Sequence, residues 1–178
     1  VTPEGQETYW DAEEFYYYWL DEAFKNGDLY SWNGLGFDFL VLHDSDVTLG
    51  NSFVLKHYDM MFDFFCHHGY PVKLTNVMCG FGRYAEADWL EKSKEKLQGY
   101  ILDNDRDSIA HHSQTKTRFI LDVAKGCVDS GGIMWVTNAG LRRMETMDRF
   151  LTVNECRNLP EPDTGWMKEG GLTRDRFL

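Results

Sequence analysis

Two aspartates one residue apart, Asp44 and Asp46, lie just beyond the apolar run Phe37–Leu42, separated from it only by His43. A D-x-D pair at the end of a buried strand sets two carboxylates where such a strand would leave the core, at the edge outside the strand ends where open α/β sheets bind ligands. Polar residues also mark two later apolar runs: Thr75 and Asn76 in VKLTNVM (72–78), and Thr137 and Asn138 after IMWV (133–136). In a parallel sheet three such strand ends emerge at one edge, where open α/β folds bind their ligands. The bland alternative is that Asp, Thr and Asn stand there as ordinary caps and turn residues.

The elements that must position these residues follow from periodicity. Phe37–Leu42 is short, rich in aromatic and β-branched residues and bounded by Gly34 and Gly36, which predicts a buried strand. VKLTNVM and IMWV predict a second and third strand, with a short fourth over Gly99–Leu102. Helices are predicted over Asp11–Gly27, where Asp11 and Glu14 have capping-box spacing, and over Phe53–Cys66, ended by Gly69 and Pro71. Tyr84–Gly99, Ser108–Lys125 and Leu141–Leu151 complete the helical set. The alternation of strand and helix predicts a single α/β domain over residues 1–178, a three-layer Rossmann-like parallel sheet flanked by helices. Residues 1–33 form an N-terminal helical extension in this reading, 79–107 a small helical lobe or lid, and 157–178 a turn-rich tail.

Composition narrows the class. A 178-residue chain with 43% hydrophobic and 26% charged residues has enough apolar material for a packed core. Its formal charge of -11 disfavours a broad grip on nucleic acid, which needs clustered Lys and Arg, but leaves room for a local basic rim of Lys92, Lys94, Lys96, Arg106, Lys116 and Arg118. Cys66, Cys79, Cys127 and Cys156 are widely spaced without a CxxC pair, which points to free thiols in the cytoplasm or another reducing compartment. No apolar run reaches the roughly 18 residues of a membrane span, so no membrane association is expected. Asp103, Asp105 and Asp107 open like a calcium loop, but Ser108 and Gln114 break the pattern where Gly and Glu are needed. The histidine pairs 67/68 and 111/112 lack the i,i+4 spacing of a metal clamp.

DSDVTL after an apolar strand resembles the first motif of the haloacid dehalogenase superfamily, D-x-D-x-T, with Asp44, Asp46 and Thr48 at the matching positions and Val47 in place of the usual glycine. HHGYPVKLTN is similar to the second motif, placing Thr75 and Asn76, and SQTKTRFILDVAKG offers Lys116 for the third. The order is especially like that of the phosphatase domains of polynucleotide kinase-phosphatases. The resemblance implies a Mg2+-dependent phosphohydrolase in which Asp44 forms an aspartyl-phosphate, Asp46 is the general acid and base, and Lys116 stabilises the transferred group. Thr48, Thr75, Asn76 and Thr137 would surround the phosphorylated substrate, and Asp44, Asp46 and Asn138 the metal. Little or no cap is implied, which suits a large or end-exposed substrate. The match breaks at the fourth motif, where family members place acids and this chain has Thr137 and Asn138. That break favours a catalytically inactive module of the same fold for binding or assembly. A third reading takes the D-x-D as the metal and sugar-nucleotide site of a glycosyltransferase.

Overall fold

The computed structural model describes residues 28–39, 51–166 and 172–177. The D-x-D-x-T stretch and the predicted helix Asp11–Gly27 lie outside the described residues. Among the described residues the fold is mixed α/β and mostly helical, with two small sheets of two strands each. The chain divides into two compact units, a division the sequence periodicity does not mark.

In the unit that holds residues 28–72 and 150–177, β1 (Tyr30–Ser31) pairs in parallel with β2 (Tyr58–Asp59), and Tyr30 stacks on Tyr58 with ring centroids 4.8 Å apart. Between them run a π-helical turn (Gly34–Asp38) and α1 (Asn51–Lys56), and after β2 comes α2 (Met60–His68). Two sequence expectations are corrected. Phe37 and Asp38 belong to the helical turn and Phe39 continues in helical conformation, so the predicted strand does not begin there. The continuous helix predicted over Phe53–Cys66 is two helices broken at Tyr58–Asp59, a break hidden by apolar residues that keep helical spacing across it.

Asp59 causes both. Its carboxylate caps α2 by accepting the Met61 and Phe62 N–H groups and also accepts those of Asn33 and Leu35, at 2.9 to 3.2 Å. Four backbone donors that need partners at the starts of helical segments are thereby satisfied by one side chain. The short helix α6 (Val153–Arg157), closed by a Thr152–Glu155 capping box, packs on α1 and α2. Leu35, Phe39, Phe62, Phe65, Val153 and Cys156 form the core of this unit, and Phe177 of the tail lies 4.7 Å from Phe65, ring to ring.

In the unit that holds residues 73–149, α3 (Leu74–Gly80), α4 (Tyr84–Leu102) and α5 (Arg106–Ser130) surround a hairpin of β3 (Gly132–Val136) and β4 (Arg142–Thr146). The predicted helices Tyr84–Gly99 and Ser108–Lys125 are present and longer than expected. The strand predicted at Gly99–Leu102 is instead the last turn of α4. VKLTNVM is a helix rather than a strand: Leu74, Val77 and Met78 are buried at i, i+3, i+4, and strand-like alternation fails at Asn76. Leu141–Leu151, predicted helical, instead supplies β4. Gly140, at φ +78, supplies the left-handed residue that closes the three-residue loop between Thr137 and Leu141. Pairing with β3 overrides the helical preference of Arg, Met and Glu.

β3 therefore has only an antiparallel neighbour, and a three-layer parallel sheet is not seen among the described residues. Trp135 and Ile133 of β3 are buried against the helices, together with Phe119, Val123 and Cys127 of α5. Every residue of β4 is exposed.

Candidate functional site

The polar residues expected at strand ends form a fastening in the 73–149 unit. Thr75 lies in the first turn of α3, nearly buried, and its hydroxyl donates to Glu91 of α4 at 3.0 Å. The next residue, Asn76, donates its side-chain amide to the Val136 carbonyl at the end of β3, at 2.9 Å. Two adjacent side chains thus tie α3 to a helix on one side and a strand on the other. Asn76 thus meets the end of β3 from a helix, and not as one of two parallel strand ends.

Thr137 and Asn138 belong to the hairpin loop. Thr137 Oγ1 accepts the Leu141 N–H at 3.1 Å, and its own N–H donates to the Leu141 carbonyl at 2.9 Å. Asn138 is exposed. Lys116 lies in the middle of the 25-residue α5 rather than at a helix start, one turn after His112. His112 is buried, accepts or donates at Nδ1 to Ser93 Oγ at 2.8 Å and stacks on Trp89. Burial, Lys116 and His111 together push its pKa below the ordinary histidine value. The 79–107 segment predicted as a lobe or lid is mainly α4, held to its neighbours by Arg83–Asp122 at 2.8 Å and by Trp89 against Phe119. The aspartates likened to a calcium loop end in a cap: Asp105 accepts the N–H and hydroxyl of Ser108.

Asp44, Asp46 and Thr48 lie outside the described residues. Among the described residues no group of three or more His, Cys, Asp or Glu side chains is placed to hold a metal.

The 28–72/150–177 unit holds a buried polar cluster that sequence reasoning missed. Asp63 on α2 accepts the Leu151 N–H at 2.9 Å and the Cys156 thiol at 3.6 Å, and pairs with His67 one turn on. Cys66 lies beside Cys156 and Arg174. The neighbouring Cys156 side chain, helped by the Arg174 guanidinium, lowers the Cys66 pKa against the effect of burial, while Cys66, burial and Asp63 push that of Cys156 up. Arg174, 5% exposed, donates to the carbonyls of Arg157, Leu159 and Pro160, and so caps the end of α6. Its chemistry is that of a latch: a cation on a helix C-terminus and an acid gripping the chain that leads into that helix. No local signal reveals it, because Asp63 and Cys156 are 93 residues apart.

No family model, curated protein or solved structure matches the chain.

Proposed function

We propose that the chain is a non-catalytic module for binding and assembly. The observation that supports this most directly is the engagement of Thr75 and Asn76. A phosphoryl-binding hydroxyl must point its hydrogen at a substrate oxygen, whereas that of Thr75 is directed to Glu91, a carboxylate that would repel phosphate. Lys116 stands in mid-helix, and Thr137 and Asn138 shape a turn. The missing acid at the fourth motif points the same way, since Asn138 brings a metal no negative charge.

A second reading keeps the haloacid dehalogenase-like phosphohydrolase, with its Rossmann-like parallel sheet, Mg2+ and a phosphorylated substrate. The spacing of Asp44, Asp46 and Thr48 favours it. Hydrolysis of an aryl phosphate with added Mg2+ separates the two. The module reading expects no turnover above buffer and the same null result for Asp44→Asn. Mg2+-dependent turnover that disappears in Asp44→Asn would overturn it in favour of the aspartyl-phosphate route.

A further inference from the structure

The hairpin ends in an open edge. In the β3–β4 ladder the Leu141 carbonyl and the Met147 N–H both bond toward β3. Backbone groups alternate in direction along an antiparallel strand, so those of Arg143 and Glu145 also face β3, and those of Arg142, Met144 and Thr146 face away. Among the described residues no strand lies on that outer edge, and β4 is exposed along its whole length, with Met144 52% exposed. A row of outward N–H and C=O groups is a template for another strand.

We infer that β4 pairs antiparallel with β4 of a second copy across a twofold axis at Met144, joining two hairpins into one four-stranded sheet. The side chains choose both the partner and the register. Centred on Met144, the pairing sets Arg142 opposite Thr146, Met144 opposite Met144 and Arg143 opposite Glu145 of the other copy. The outward-facing residues form the hydrogen-bonded pairs. Arg143 and Glu145 fall at the non-hydrogen-bonded positions, where opposite side chains approach most closely and unlike charges attract. Centring on Arg143 sets arginine against arginine, and centring on Glu145 sets glutamate against glutamate, both unfavourable. The sequence RRMET is self-complementary in charge only in the Met144 register. An unrelated extended peptide would need an acid where Glu145 already supplies one.

A five-residue edge buries less than the ~1,200 Å² of a stable interface, so the expected association is weak, with Kd on the order of 100 µM. The inference names a partner for the assembly reading but rests on β4 alone. A chain that hydrolyses aryl phosphate and still pairs through β4 would overturn that reading and leave this one. A chain that stays monomeric and inert would overturn only this one.

Sedimentation velocity of the full chain from about 5 to 500 µM tests it. A monomer–dimer equilibrium is expected, weakened at least about fivefold in Arg143→Glu and in Glu145→Arg, each of which places like charges opposite one another. An equimolar mixture of these two variants restores pairing, since each then meets its complement, and so does the double variant. Fluorescence of Trp135, buried in β3, checks that the hairpin is intact; if either charge reversal unfolds it, Arg143→Gln replaces that variant and is expected to weaken pairing less. A monomer at every concentration overturns the inference, as does association indifferent to the reversals or not restored by the mixture.

Discussion

Single side chains carry a large share of the order in the 28–72/150–177 unit, and Asp59 carries the most. Its four backbone bonds join β2, the π-helical turn and the start of α2. Asp59→Ala leaves those donors without an acceptor and is expected to cost about 3 kcal/mol of unfolding free energy, measured by urea denaturation; a loss under about 1 kcal/mol would mean that water replaces the carboxylate. The neighbouring His57 is fully buried. Its Nδ1–H donates to the Val54 carbonyl at 2.7 Å, and among the described residues Nε2 has no hydrogen-bond partner. A second ring proton would therefore be buried without an acceptor, and burial lowers the pKa despite the opposing pull of that carbonyl and of Asp59. With His112 lowered as well, the unfolded chain binds protons that the folded chain refuses. Stability is full above the ordinary value of 6.5 and falls as pH drops below it toward the lowered folded-state values. The urea midpoint is expected to decline from pH 7 to pH 5, less steeply in His57→Phe; a flat profile contradicts the assignment.

At the scale of elements, legibility depended on length. α4 and α5 were readable because their periodicity runs for several turns; their full lengths were not, since Asp105, the cap of α5, read as part of a calcium-like loop. β3 was readable as a short β-branched and aromatic run after two glycines. α3 was not, because in seven residues helical spacing and strand alternation compete on equal terms. β4 was hidden more thoroughly: both its faces are exposed, so it shows no alternation, and its residues prefer helices. The turn Asn138–Ala139–Gly140 was the available clue. Of the candidate site, Thr75 and Asn76 were legible as polar residues in an apolar run, but their use in fastening α3 to α4 and β3 was not. Contact between α3 and β3 depends on Gly80, where a Cβ would overlap the Met134 carbonyl and come within 2.5 Å of the Trp135 nitrogen. Gly80→Ala forces the helix off the strand and is expected to destabilise the chain by roughly 3 kcal/mol, at the upper end of overpacking costs. Retention of full stability in denaturant would show that α3 can slide without loss.

For the whole molecule, the order of the chain matters more than composition. One unit is assembled from two separate stretches, and the stretch 73–149 that forms most of the other is inserted between them. The junction closes through long-range bonds: Leu151 to Asp63, Val153 to the His57 carbonyl, and Cys156 to Asp63. A chain ended after Arg149 keeps α3 to β4 but loses α6, Arg174 and Phe177. It is expected to retain helical circular dichroism while binding the dye ANS on the uncovered face of α2, where Phe62 and Phe65 are otherwise buried. Absence of dye binding would mean that α2 finds cover without α6.

The insertion also sets a timetable. Residues are added to a growing chain at ~5–20 per second, so the 88 residues between Asp63 and Leu151 take on the order of ten seconds to appear. Through that interval α2 is already made, with Phe62, Phe65 and Cys66 prepared for a partner that does not yet exist, whereas the inserted unit can begin folding as soon as β4 is complete. Until Leu151 and α6 emerge, the apolar face of α2 has no partner from the 150–177 stretch to cover it, and such transiently bare apolar surface is what chaperones bind.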